Sequence, residues 1–152
     1  MNHVNTRRIV KYNSDKMFDL VADIESYPQF VPLCKTLTIK SREQLDDKLL
    51  LVSEMTVGYM GIHESLTTQV LLQKSLKKID VQYINGPFHF LNNYWDFKSI
   101  SDNSCEVIFY LEYELKNRLF NALIKKMFDH TFRVFVEAFE KRAQIVYGSS
   151  VC

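Results

Sequence analysis

The order of hydrophobic patterns along this chain predicts an α+β fold, in which a curved antiparallel sheet is kept apart from its helices. Three observations carry that expectation. A period of two runs from Cys34 to Leu115, broken repeatedly by turn-forming residues; a helical period precedes it after Asn13; and a second helical period follows it from Asn117 to about Tyr147.

The chain opens with a strand over Val4 to Tyr12, which contains Ile9-Val10 and closes on Asn13-Ser14, a helix-capping pair. In the first helix Met17, Leu20, Val21 and Ile24 fall at i, i+3, i+4 and i+7, with Phe18 widening the stripe and Asp15, Asp19 and Asp23 on other faces. Pro28 disfavours helical dihedrals at Tyr27, so this helix is expected to end near Glu25 or Ser26. Ser26 then caps a short second helical turn with Pro28 in its first positions, and Pro32 stops it. The stretch VADIESYPQFVPLC (21–34) thereby becomes a compact aromatic elbow.

Turn signals at Asp46-Asp47, Gly58 to Gly61, Gln73 to Ser75, Asn85-Gly86-Pro87 and Ser101 to Ser104 divide the next region into about six strands, about seven with the opening one. The last is the clearest: Cys105, Val107, Phe109, Leu111, Tyr113 and Leu115 alternate with Glu106, Ile108, Tyr110, Glu112 and Glu114. Ile79, Val81 and Tyr83 alternate likewise with Lys78, Asp80 and Gln82.

Asn117 can cap the final helix and Gly148 can stop it. About 30 residues make a rod of roughly 45 Å, long enough to cross a sheet. Its apolar residues exceed one stripe: Phe120, Ile124, Met127, Phe128, Phe135, Ala138 and Phe139 form a broad face that Phe132, Val136, Ala143 and Val146 continue. Such a helix is buried on more than one side, or meets a ligand, a membrane or a partner, a second copy in a homodimer included.

With 152 residues, 47% hydrophobic and 24% charged, the chain suits one domain with a substantial core. Nineteen basic against eighteen acidic residues leave a net charge of +1, so no global field draws it to nucleic acid or to an anionic membrane. Arg118, Lys125, Lys126 and Arg133 make the last helix locally basic, which reads as a solvated face or as a peripheral contact with anionic lipid headgroups. Cys34, Cys105 and Cys152 are odd in number and far apart, as expected in a reducing compartment. The first residues lack the apolar core of a signal peptide, and no run approaches the roughly 20 apolar residues of a membrane span. A cytoplasmic chain, or one matured by processing, is expected.

Catalytic patterns do not appear. Gly58 and Gly61 have no phosphate-loop spacing, and His63-Glu64 begins a zinc-protease motif whose second histidine position holds Thr67. No nucleophile elbow is present. Cys34 and Cys105 read as small buried hydrophobes. Neither a metal nor a covalently bound cofactor is indicated. Glu64 and Thr68 would share a largely apolar strand face with Ile62, Leu66, Val70 and Leu72, so the Glu64 carboxylate must be paired, lie near the rim, or face a cavity.

Three stretches together resemble the coenzyme Q-binding protein family: VADIESYPQFVPLC, GPFHFLNNYWDF (86–97) and DHTFRVFVEAFEKRAQIVYG (129–148). That family belongs to the START-like polyketide cyclase/lipid transport superfamily and takes in the bacterial ribosome-association toxins. The resemblance implies a helix-grip fold, in which the sheet wraps the long C-terminal helix and leaves an apolar cavity. It implies non-enzymatic binding of ubiquinone or a related polyprenyl lipid, in support of respiratory electron transfer or quinone biosynthesis. A protein of this kind would lie in the bacterial cytoplasm, or at the inner membrane face, or in the mitochondrial matrix if processed.

Phe109, Tyr113, Phe128 and Phe135 are then the candidate sleeve for the lipid tail, with ordinary core packing as the alternative. Gly86, Pro87 and Phe88 and the elbow residues Tyr27, Pro28, Phe30 and Pro32 would stand at the mouth, and Trp95 is expected to pack within the domain. The same resemblance permits a second activity, inhibition of ribosomal subunit association through the large subunit. A third, a START-like cyclase, would have only Glu64, His89 and the tyrosines as acid or base groups.

Overall fold

The computed structural model describes the backbone of residues 2–59 and 61–148, and their side chains apart from those of residues 2, 59, 62, 120 and 123–136. β1 (Asn2–Val10) leads to α1 (Ser14–Ala22), a 3-10 turn (Ile24–Gln29), β2 (Cys34–Leu45), β3 (Lys48–Tyr59) and β4 (Ile62–Gln73). A short 3-10 turn (Lys74–Leu76), β5 (Lys78–Asn85), β6 (Phe88–Ser101), β7 (Ser104–Leu115) and α2 (Arg118–Tyr147) complete the fold. The α+β expectation holds, with seven strands in the order β1-β7-β6-β5-β4-β3-β2 and every pair antiparallel. No helix among the described residues is long and apolar enough to cross a membrane.

Local chemistry explains the element ends. The Asn13 side chain accepts from the Lys16 N–H and caps α1, whose Met17, Phe18, Leu20 and Val21 are buried against the sheet. α1 stops at Ala22, three to four residues short of the expected Glu25 or Ser26, and Asp23 rather than Ser26 precedes the 3-10 turn. The reason lies in the carbonyls that the last turn of a helix leaves without partners. The Tyr27 hydroxyl donates to the Val21 carbonyl, supplying the bond that a continued helix would have drawn from residue 25. Ser26 Oγ instead donates to Asp23 Oδ2 at 2.6 Å, steadying the start of the turn.

β1 also ends earlier than the sequence suggests, at Val10, which frees Tyr12 to donate to the Gly148 carbonyl at 2.8 Å. Asn117 stands where expected, its carbonyl accepting from the Asn121 N–H at 2.8 Å, and Gly148 adopts φ 78° beyond the last turn of α2. The C-terminal part of α2 is held down by Arg8 against Glu140 at 2.6 Å and by Tyr147, whose hydroxyl donates to the Lys16 carbonyl at 2.7 Å. α1 is tied to the β4–β5 connection by Lys74–Asp19 at 3.0 Å and Lys77–Asp15 at 2.8 Å.

The period of two sorts the sheet into two faces. On β7, Cys105, Phe109, Tyr113 and Leu115 are buried on the inner side, together with Ile79 on β5, Trp95 and Phe97 on β6, and Leu66 and Val70 on β4. Gly86 turns β5 into β6 at φ 148°, and a Cβ there would lie 3.0 Å from Leu66 Cα and from the Ser65 carbonyl oxygen. Gly86→Ala is therefore expected to lose about 1–3 kcal/mol of stability, read as a lower urea midpoint with an unchanged slope.

Candidate functional site

Between the inner sheet face, the elbow and α2 lies a cavity of about 230 Å³. The strands line it with alternate residues: Ser53 to Val57 on β3, Leu66 to Val70 on β4, Ile79 and Val81 on β5, Leu91 to Trp95 on β6, and Phe109 to Leu115 on β7. The elbow adds Ile24, Tyr27 and the run from Val31 to Cys34, and α2 adds Phe139 among the described residues. Among the described residues the lining is thus hydrocarbon and aromatic, with Ser53, Thr68 and Asn93 as its polar exceptions alongside the tyrosine hydroxyls and the Cys34 thiol.

One side of the cavity is closed by an aromatic cluster. Phe139 meets Tyr27 at 5.6 Å, Phe30 at 5.1 Å and Trp95 at 5.1 Å between ring centroids, and Trp95 meets Phe109 at 4.6 Å. These are edge contacts, the arrangement that the quadrupoles of aromatic rings favour. Where β5 turns into β6, Phe88 sets its edge against Tyr83 at 5.6 Å and Tyr113 at 6.1 Å, and its backbone N–H donates to the Tyr83 hydroxyl at 3.0 Å. One wall is therefore made of rings from the elbow, α2 and the sheet, and the other of rings at the β5–β6 turn and on β7.

Two ionisable groups of the lining, Tyr27 and Cys34, are held neutral by burial. Burial raises the Tyr27 hydroxyl well above its ordinary range and leaves it a donor to Val21. Burial likewise pushes the Cys34 and Cys105 thiols up to about 11. Since the thiolate is the nucleophile, iodoacetamide at pH 8 is expected to leave both cysteines unmodified in the native protein and to alkylate them once denaturant is added, as read by peptide mass mapping.

Of the residues singled out from the sequence, Tyr27, Pro32, Phe88, Phe109 and Tyr113 line the cavity. Phe30 is not among the lining residues; it packs on Tyr27 and Phe139 beneath the Arg142 guanidinium, 5.2 Å from its ring. Pro28 lies within the 3-10 turn, and Gly86 and Pro87 form the β5–β6 turn, where the Pro87 carbonyl accepts from the Lys116 N–H at 2.8 Å. Glu64 has the parity of Leu66 and Thr68 but sits near the start of β4, opposite Val57, half-buried and outside the lining. Phe128 and Phe135 lie outside the described side chains. Trp95, expected to pack within the domain, does so and also lines the cavity. Ser53, Asn93, Leu91 and Leu111 were not singled out as site residues; the signal that could have found them is the parity each shares within its own strand, Ser53 with Met55 and Val57, Leu91 and Asn93 with Trp95, and Leu111 with Phe109 and Tyr113.

An antiparallel sheet of this order, packed with a long terminal helix around an apolar hollow, defines a START-like helix-grip protein. The family model described as polyketide cyclase / dehydrase and lipid transport matches residues 10–140, and the chain belongs to that family. Within it, the chain is 30% identical to the ribosome association toxin RatA of Escherichia coli K12, over 98% of this chain and 91% of that protein. It is 31% identical to the mitochondrial coenzyme Q-binding protein of Dictyostelium discoideum, over 93% of this chain and 68% of that one. The solution structure of an 18 kDa protein from Caulobacter crescentus superposes with a TM-score of 0.81 at 30% identity, covering 98% of this chain and all of that one, 100%.

Proposed function

We propose that this protein binds ubiquinone or a related polyprenyl lipid in the cavity and makes it available to respiratory electron transfer or quinone biosynthesis, with no chemistry of its own. The observation that carries this reading is the hydrocarbon and aromatic lining of a hollow of about 230 Å³. An apolar cavity of roughly 150 Å³ already stays dry and admits benzene, so a larger one is a standing sink for hydrocarbon. Each buried CH₂ is worth about 0.8 kcal/mol, and a five-carbon isoprene unit therefore gains roughly 3–4 kcal/mol on leaving water. The likeness to the Dictyostelium coenzyme Q-binding protein supports the choice of lipid.

The groups that could do acid or base work favour carriage over catalysis. Among the described residues no carboxylate or imidazole lines the cavity, the Tyr27 hydroxyl is committed to Val21, and the Cys34 thiol stays protonated. Mass spectrometry of organic extracts from the natively purified protein is expected to show a co-purifying quinone, with saturable uptake of added ubiquinone. Repeated absence of both would end this reading.

A second reading, association with the large ribosomal subunit, is supported by the likeness to RatA. The net charge of +1 offers little for extensive phosphate contact, which needs clustered lysines and arginines. Gradient sedimentation of a lysate at low salt separates the two readings: the protein stays at the top if it is a carrier alone and travels with the large subunit if it binds there.

A further inference from the structure

Resting on the lipid-binding reading, we propose that Ser53, Thr68 and Asn93 hold the oxygen-bearing head of the ligand inside the cavity that Trp95 also lines, so that its ring lies within the hollow and its tail runs over the apolar remainder. Ser53 and Thr68 face each other across β3 and β4, are 2% and 8% exposed, and place their hydroxyl oxygens 3.1 Å apart. Two hydroxyls carry two hydrogens, and the bond between them uses one. The second O–H remains to donate into the cavity that both residues line.

Asn93 supplies the complementary group. Its Nδ2 donates to the Tyr110 carbonyl at 2.7 Å, which leaves Oδ1 as an acceptor on a residue of the inner face. No buried side-chain nitrogen or oxygen among the described residues lacks a partner, so Oδ1 is open to the cavity rather than sealed in the wall. A wall meant only for hydrocarbon would be cheaper with valine and leucine at these places, because a polar group facing an apolar ligand loses water and gains nothing. One donor and one acceptor suit a ring that carries oxygen: a quinone carbonyl accepts from the hydroxyl pair, and a quinol hydroxyl donates to Oδ1. The site thus selects an oxygenated head over a hydrocarbon of equal length and sets the head inward.

Trp95 reports on this directly. It is the chain's single tryptophan, it lines the cavity, and it lies two residues from Asn93 on the same face of β6, about 7 Å along the strand. Quinones quench indole fluorescence at near contact. Ubiquinone with two isoprene units is therefore expected to quench Trp95 saturably. Ser53→Ala/Thr68→Val and Asn93→Leu are each expected to bind it about 3- to 10-fold more weakly, the worth of a hydrogen bond, while retaining labelled squalene on gel filtration as the parent does.

Replacing both hydroxyl partners with apolar groups of similar shape is close to neutral for stability, and near-ultraviolet circular dichroism verifies the fold of each variant. Saturable retention of labelled ubiquinone without quenching of Trp95, or unchanged quinone affinity in both variants, overturns the inward head and leaves lipid binding standing. Retention of neither lipid by the parent protein overturns lipid binding and the inward head together.

Discussion

Val81→Trp is expected to abolish ubiquinone uptake while leaving the protein folded. Val81 lies at the middle of β5, opposite Val70 on β4 and Asn93 on β6, and its side chain faces the cavity. An indole there fills space otherwise open to the ligand. Excluding a single isoprene unit forfeits roughly 3–4 kcal/mol, more than a hundredfold in affinity. In a close-packed core so large an insertion would cost about 1–3 kcal/mol, but the hollow in front of Val81 receives the ring, so the loss of stability falls at the low end of that range. Isothermal titration with short-tail ubiquinone, together with a urea unfolding curve, checks both halves. Parent-like affinity in a folded variant would refute the cavity as the binding site.

The largest loss of stability is expected from Phe139→Ala. Phe139 is 4% exposed and is the described α2 residue that joins three separate elements, through its ring contacts with Tyr27 and Phe30 of the elbow and Trp95 of β6. Truncating a buried phenylalanine costs about 3–5 kcal/mol, the lost transfer energy plus that of the cavity left behind. For a domain of this length each kcal/mol moves the melting temperature by about 2–4 °C, so a fall of roughly 6–20 °C is expected by calorimetry. The neighbouring Ala143, 0% exposed, has no side chain large enough to fill the gap. A fall of under about 2 °C would show that α2 is not anchored through this ring.

What the sequence disclosed followed from how local each signal is. The strands were legible because alternation on β7 and the turn residues at Asp46-Asp47 and Asn85-Gly86-Pro87 are read within a few positions of one another. Asn13 and Gly148 announced helix ends for the same reason. The end of α1 was not legible, because the Tyr27 hydroxyl that satisfies Val21 acts from six residues away and replaces a bond rather than forming a recognisable cap. The cavity was half legible: period two names the inward residues of each strand, Asn93 and Trp95 included, but cannot say which of them meet an opposing layer and which meet open space. That division depends on the elbow and α2. Phe30 packs under Arg142 and Phe139, while Tyr27, three residues earlier, reaches the hollow.

The sheet order sets the timetable of folding. β1 pairs with β7, joining Asn2 to Tyr113 and Val10 to Cys105, so the first strand made is among the last to find its partner. Loop closure over such a span carries a conformational entropy cost that neighbouring hairpins avoid, and sheets built on distant pairings fold slowly. During synthesis the β2–β3–β4–β5–β6 meander can zip in sequence as it leaves the ribosome, whereas β1 must wait until the residues of β7 are free. Until then β1 offers an unpaired edge to other chains, and its Arg7 and Arg8, with Lys11 just beyond, supply the like charge that discourages such pairing.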